Sequence, residues 1–154
     1  MNLSENFTLR EFTKSQTASR KNIDNTPSDT VVRNAFILAE NVLQPVRDYF
    51  GTTIITSGYR SVELNRAIGG SDDSQHCSGQ AADIEVPGTS TAELALWIQK
   101  NLDYDQLILE FYTPKDVNSG WVHVSYDCNG NRKEDLTAKV GADGNVQYEY
   151  GINP

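Results

Sequence analysis

Three short segments in the second half of the chain combine an alternating side-chain pattern with one apolar side each. The segments are 81–86, 106–111 and 121–126. Successive side chains of a β-strand point to opposite faces, so each segment predicts a strand with an apolar side. A sheet that buries these apolar sides together presents Asp83, Glu110 and His123 on its other face.

The middle segment shows the consequence of this alternation most clearly. Leu107, Leu109 and Phe111 are predicted to face the core, so Glu110 is predicted to face the opposite way. A carboxylate that enters an apolar core without a partner loses its hydration, which is costly. The pattern therefore places Glu110 on the polar face of the sheet.

The first half of the chain has helical rather than strand-like spacing. Apolar residues recur at helical intervals over 31–46, after Ser28 as a typical N-cap. Pro45 is predicted to kink or end this helix near its last turn. One further helix is predicted from Ser90, between two strand segments. Helices first and strands later, with one helix between them, predict an α+β fold with a central, mostly antiparallel sheet and flanking helices.

The last part of the chain predicts a β-hairpin. The segments 136–140 and 146–150 flank the turn sequence GADGN at 141–145. With a length of 154 residues, the chain suits one domain that spans residues 1–154.

The charge and the apolar content exclude two kinds of partner. The formal net charge is −8, whereas a nucleic-acid partner would require a basic face. No stretch approaches the roughly 20 apolar residues of a membrane helix, so no membrane insertion is expected.

The opening residues, MNLSENFTLREF, lack the charged head and apolar middle of a signal peptide. We therefore expect no signal peptide and cytoplasmic synthesis, and we expect a monomer.

The histidine content restricts any metal site. His76 and His123 are the only histidines, so a site with two histidine ligands has no freedom of choice. His123 shares the polar face of the sheet with Asp83, and His76 comes from the loop just before the strand of Asp83. A catalytic zinc ion takes three protein ligands from histidine and carboxylate side chains and keeps a fourth position for water. The three residues therefore predict a zinc site.

Metal-assisted hydrolysis also needs a carboxylate outside the metal ligands, which accepts the proton of water and passes it to the leaving group. Glu110 is the candidate because it lies on a separate strand of the same face. Glu85 is the competitor, since it shares the face of Asp83 but lies close along the same strand. The pattern favours Glu110 and leaves Glu85 open.

Three motifs resemble those of a known family. The segment 74–83, SQHCSGQAAD, resembles the S-x-H-x-x-G-x-A-x-D signature of the zinc D-alanyl-D-alanine peptidases. The segment 57–61, SGYRS, resembles their upstream element, and 121–125, WVHVS, resembles their C-terminal ligand strand. Order and spacing match across 54–126. That family includes D-Ala-D-Ala carboxypeptidases, vancomycin-resistance dipeptidases and phage endolysins that cut the L-Ala–D-Glu bond. The resemblance implies a fold of the hedgehog/D-Ala-D-Ala-peptidase type.

The resemblance also implies an activity and a set of site residues. It implies His76, Asp83 and His123 as ligands of one zinc ion (Zn2+). It implies that Arg60 contacts substrate and stabilises the developing oxyanion, and that Ser74 contacts substrate as well. The implied reaction is hydrolysis of a stem-peptide bond in bacterial peptidoglycan. The implied setting is a phage cell-wall lysin that acts after release or as part of the phage particle.

One position departs from the family pattern. Several relatives place the catalytic acid three residues before the last histidine, and Gly120 stands there in this chain. A subset of the family supplies a glutamate from the preceding strand instead, which is consistent with Glu110.

Other interpretations of the same residues remain open at this point. Free thiols are expected for Cys77 and Cys128, yet these cysteines could close a structural zinc site with the two histidines. The chain would then be a structural-zinc domain. A third interpretation keeps the fold but not the activity, and it makes the chain a non-catalytic cell-wall-binding module that lost its base. Arg60 could pair only with a neighbouring acid, and Ser74 could only form a turn. Trp121 fits either the core or the wall of a substrate cleft.

Overall fold

A computed structural model describes residues 1–154, and its centre is a six-stranded sheet in the order β1-β2-β4-β3-β5-β6. The strands are β1 Ile54–Ser57, β2 Ala81–Glu85, β3 Gln106–Glu110, β4 Trp121–Ser125, β5 Glu134–Val140 and β6 Val146–Tyr150. Only β3 and β5 run parallel, and all other neighbours are antiparallel. The predicted α+β class and mostly antiparallel sheet are confirmed.

Six α-helices accompany the sheet, and most of them begin at a side-chain cap. The helices are α1 Leu9–Thr13, α2 Gln16–Lys21, α3 Asp29–Leu38, α4 Gln44–Phe50, α5 Val62–Ala67 and α6 Thr91–Asn101. A Ser or Thr hydroxyl before a helix accepts a hydrogen bond from a backbone N–H of the first turn, which satisfies a donor that the helix leaves free. The capping residues are Thr8, Ser15, Ser28, Ser61 and Ser90.

The helix that contains Pro45 does not end at this residue. A π-helical segment, Ala39–Leu43, joins α3 to α4, and the helical path continues to Phe50. Proline has no N–H and its ring clashes with the carbonyl group four residues earlier, so regular α-helical bonding cannot pass through Pro45. The wider π turn before it accommodates this change without breaking the helix.

The apolar sides of the strands pack against the helices, as the alternation predicts. Ala82 and Ile84 of β2, Leu107 and Leu109 of β3, and Val122 and Val124 of β4 are fully buried. They join one core with residues of α3, α4 and α6 and with Leu3 and Ile152 near the two ends of the chain. The opposite face of these strands is therefore left for polar side chains.

Phe111 is the exception to the predicted alternation. It was expected in the core beside Leu107 and Leu109, but β3 ends at Glu110 and Phe111 has a positive φ of 55°. A left-handed residue leaves the strand pleat, so its side chain no longer follows the alternation. The half-buried Phe111 ring packs against Trp121 instead, with 5.3 Å between ring centroids.

The predicted hairpin is formed by β5 and β6, with pairs that run from Leu136–Tyr150 to Val140–Val146. The first strand begins two residues earlier than the pattern suggested, at Glu134. None of the helices of the protein is both long and apolar enough to span a membrane.

Candidate metal centre

His76 lies in the loop before β2 and is held by the loop after β1. Its Nδ1 lies 2.7 Å from the carbonyl oxygen of Gly58, and the backbone N–H of Arg60 donates to the carbonyl oxygen of His76 at 3.2 Å. Because a carbonyl group can only accept, Nδ1 carries the proton and Nε2 keeps a free lone pair. Metal-binding histidines commonly donate their other ring N–H in this way.

Asp83 and His123 are direct neighbours across β2 and β4. Asp83 Oδ1 lies 3.0 Å from His123 Nδ1 and 3.3 Å from His76 Nε2. A tetrahedral zinc ion with bonds of about 2.1 Å requires ligand atoms about 3.4 Å apart. The potential ligand atoms of the three residues all lie within 4.8 Å of one another, so the cluster could hold a metal ion.

The electrostatics of the cluster suit the same donor set. Burial lowers the pKa of His76, which keeps the ring neutral. Burial by itself raises the pKa of Asp83, but the close contacts with His123 and His76 outweigh it and hold that pKa well below its usual range. A metal ligand must be a neutral imidazole or an ionised carboxylate. Two imidazoles and one carboxylate are a common ligand set for zinc with an open position.

Arg60 lies beside the cluster and is held on several sides. Its Nε donates to Ser57 Oγ at 3.0 Å, and its Nη1 donates to Asn65 Oδ1 at 3.1 Å. Its Nη2 lies 3.5 Å from Oδ2 of Asp83, the oxygen that does not face the histidines. The ion pair with a neighbouring acid is thus present, and it orients a potential metal ligand. Contact between Arg60 and substrate stays a prediction.

Ser74 shapes the loop that carries His76. Its Oγ accepts a hydrogen bond from the backbone N–H of His76 at 3.3 Å. Ser74 also lines the cleft above the metal cluster, which has a volume of about 520 Å³. The structure therefore shows the turn-forming role and leaves a substrate contact as a prediction.

Glu110 lines the same cleft as the metal cluster. It pairs with Trp121 across β3 and β4, so Trp121 forms a wall of the cleft rather than part of the core. Burial, and secondly the charge of Asp83, raise the pKa of Glu110 to about 7. A carboxyl group that titrates near neutral pH is well suited to exchange protons in general acid–base catalysis.

Glu85 is placed differently from Glu110. It is exposed at the end of β2 and lines a separate surface pocket with Val86 and Pro87. No part of Glu85 lines the cleft above the metal cluster. Of the two carboxylates that the sequence left open, only Glu110 faces the cluster.

Gly120 explains why the chain departs from the family pattern at this position. Its φ is +67°, and a Cβ atom there would lie only 2.0 Å from the carbonyl oxygen of Glu110. No side chain fits at this point of the turn between β3 and β4 without moving the backbone. A carboxylate at this site must therefore come from another position, such as Glu110.

The thiols do not take part in the cluster. Cys77 is half-buried and Cys128 is exposed, and both are free. The group of potential ligands consists of two histidines and one aspartate, with neither cysteine among them. The closed site of two cysteines and two histidines is therefore not formed.

A double variant, Cys77→Ser and Cys128→Ser, is expected to keep the zinc content and the activity of the unmodified protein, because neither thiol faces the cluster. Elemental analysis of the purified variant and an activity assay check this result. Loss of zinc from the double variant would restore the closed structural site as the better interpretation.

Two residues of the cleft were not found from the sequence. Arg132 and Tyr148 line it, although they follow the last motif of the pattern. Arg132 is fixed by Asp105, whose carboxylate accepts from its Nε at 3.0 Å and from its Nη2 at 2.8 Å. The parallel pairing of β3 and β5 brings this part of the chain to the site. No local sequence pattern predicted the pairing of β3 with β5.

Comparison with known proteins agrees with the geometry of the site. A search among curated proteins gave no match. A sequence model of the family described as peptidase M15 matches residues 5–125, which include His76, Asp83 and His123. M15 peptidases are zinc-dependent, and the cluster described above could hold such an ion. The matched region covers well over half of the chain, so this protein belongs to the peptidase M15 family.

Proposed function

We propose that this protein is a zinc peptidase that hydrolyses a peptide bond in the stem peptides of bacterial peptidoglycan. It is either of the D-Ala-D-Ala carboxypeptidase type or of the L-Ala–D-Glu endopeptidase type. The observation that carries the proposal is the buried group of His76, Asp83 and His123, which opens onto a cleft that also contains Glu110.

The metal cluster, Glu110 and Arg60 have separate roles in this reaction. A zinc ion held by His76, Asp83 and His123 supplies Lewis acidity, which acidifies water and polarises a peptide carbonyl group. Glu110 accepts the proton of the attacking water on a carboxylate oxygen and later returns it to the leaving nitrogen. Arg60 keeps Asp83 oriented and offers positive charge to the oxyanion that develops on the carbonyl oxygen.

The substrate class comes from the resemblance to the zinc D-alanyl-D-alanine peptidases, and the charges of the cleft are consistent with it. Stem peptides carry carboxylate groups, and a guanidinium group binds a carboxylate with two parallel hydrogen bonds. Arg60 and Arg132 both line the cleft. Ser74 also lines the cleft and is a further candidate for substrate contact.

The cellular role follows from this activity. We propose a monomeric cell-wall lysin, of phage origin, that acts after release from the cell or as part of the phage particle. The net charge of −8 agrees with a protein that has no nucleic-acid partner.

Mass spectrometry of purified peptidoglycan digested with the zinc-loaded protein tests the proposal. New amino and carboxyl termini at one stem-peptide bond are the expected result, and their identity names the bond. Peptidoglycan that stays intact, while the protein retains zinc and binds the cell wall, would favour a non-catalytic cell-wall-binding domain instead.

Arg60→Lys is expected to fold and to bind zinc, but to lower kcat/KM by about tenfold or more, because lysine keeps the charge and loses the planar fork. Arg66→Lys is the matched control, since Arg66 is an exposed arginine of the following helix. Steady-state kinetics with a stem peptide measure both variants. An unchanged kcat/KM for Arg60→Lys would remove Arg60 from the site.

A further inference from the structure

The β5–β6 hairpin lies outside residues 5–125, the part of the chain that the family model matches. Alternation and pairing place one set of its side chains on the face of the sheet that carries the metal cluster. The set begins at Glu134, whose carboxylate accepts a hydrogen bond from Gln106 Nε2 at 2.7 Å, and its other members carry no charge. We call these uncharged residues the hairpin platform. Its members are Leu136, Ala138, Val140, Val146, Tyr148 and Tyr150.

The hairpin platform is continuous with the cleft. Glu110 pairs with Ala138 on β5, and Ala138 pairs with Tyr148 on β6. These three side chains form a row across the sheet, and Tyr148 lines the cleft together with Glu110. Ala138 is small and fully buried, and the backbones of Tyr148 and Glu110 are two strand spacings, about 10 Å, apart.

The platform is exposed although it is apolar. Tyr148 is 60% exposed and Tyr150 is 88% exposed, while Val140 and Val146 are 61% and 47% exposed. The other face of the hairpin carries the buried Thr137 and the exposed ion pair of Lys139 and Glu149. Apolar side chains are thus exposed on one face while a polar side chain is buried on the other, which is the reverse of the usual arrangement in a surface hairpin. A contiguous exposed apolar face of this kind is typical of an interaction surface.

The charges of the cleft indicate which part of a substrate lies on this surface. Both arginines that line the cleft, Arg60 and Arg132, are outside the platform, so carboxylate groups of the stem peptide are attracted away from it. The platform suits an uncharged ligand. A tyrosine ring offers a flat apolar face and a polar tip, which complements a pyranose ring with apolar C–H faces and a polar rim.

We propose that the hairpin platform binds the glycan strand of peptidoglycan, with N-acetylated sugar rings stacked on Tyr148 and Tyr150. This inference rests on the proposed function. A sugar at Tyr148 places the cleaved bond close to the glycan, because the strand of Tyr148 lies only two strand spacings, about 10 Å, from that of Glu110. The stem peptide is attached to the sugar through L-Ala. The L-Ala–D-Glu bond therefore fits the arrangement, and the distant D-Ala–D-Ala bond does not.

The test compares the zinc-loaded protein with a Tyr148→Ala, Tyr150→Ala double variant and with Gln147→Ala as a matched control. Gln147 is exposed on the opposite face of the same strand. Binding of an N-acetylglucosamine tetramer is followed by NMR titration. Hydrolysis rates are measured separately for intact peptidoglycan and for a free stem peptide.

The double variant is expected to bind the tetramer about tenfold more weakly and to show a similar fall in the ratio of the two rates. Gln147→Ala is expected to change neither quantity. Absence of tetramer binding, an unchanged ratio, or cleavage only at the D-Ala–D-Ala bond would overturn the inference. Dimers of the unmodified protein that dissociate in the Tyr150→Ala variant, detected by sedimentation, would assign the platform to a second copy and overturn it as well.

Failure of the proposed function gives a different result. A protein that hydrolyses neither substrate is not a peptidoglycan peptidase, whatever its affinity for the tetramer. If the protein hydrolyses both substrates but does not bind the tetramer, the proposed function stands and only the glycan-binding role of the hairpin platform is rejected.

Discussion

Replacement of Glu110 by glutamine is expected to leave zinc content and thermal stability close to those of the unmodified protein and to lower turnover by about 100-fold or more. Glutamine preserves the shape of the side chain but cannot accept a proton. The side chain lines the cleft and donates no ligand atom to the metal cluster. Its loss as a base therefore affects the reaction and leaves the site assembled.

Glu85→Gln is the control for this experiment, because Glu85 is exposed at the end of β2 and does not line the cleft. Its turnover should equal that of the unmodified protein. Single-turnover and steady-state rates with the same stem peptide compare the two variants. Turnover abolished in Glu85→Gln and retained in Glu110→Gln would show that the base is on the other strand.

Substitution of a metal ligand is the second change with a large expected effect. The protein should bind about one zinc ion per chain. Tight binding is expected because the side chains of the three ligands already lie close together in the fold. His76→Ala, His123→Ala and Asp83→Asn should each lose most of the zinc and nearly all activity. Elemental analysis and a peptidase assay measure the two losses.

The ligand substitutions need a control for folding, because all three side chains are buried. Asp105→Asn provides it, since Asp105 is a buried carboxylate that bonds Arg132 and Gln75 and lies outside the metal cluster. This variant should retain zinc. Circular dichroism shows whether each ligand variant is folded. Full zinc retention in both histidine variants would contradict the ligand assignment.

Much of the fold could be predicted from local patterns. The side-chain alternation of β2, β3 and β4 identified the buried side of each strand, since burial of one face requires a period of two. Helix starts were predicted where a hydroxyl side chain can satisfy a free backbone N–H, as at Ser28 and Ser90. These signals depend only on neighbours within a few residues.

Two local features have physical causes that the sequence pattern did not show. Phe111 was assigned to the core because alternation assumes that the strand continues, whereas a positive φ ends β3 one residue earlier. Pro45 was expected to kink or end its helix; the helix does not end there, because a π-helical segment before Pro45 lets the helical path continue to Phe50.

The sequence by itself identified the candidate ligands, because the chain has only two histidines and the motif around His76 contains Asp83. Only the tertiary structure showed that Glu110 lines the cleft and Glu85 does not, connected Arg60 to Asp83, and brought Tyr148 to the cleft. The physical reason is that a sheet places residues side by side through hydrogen bonds between strands that are distant in sequence. Local patterns show which face of the sheet a side chain occupies. The strand order and the register decide which other side chains lie next to it on that face.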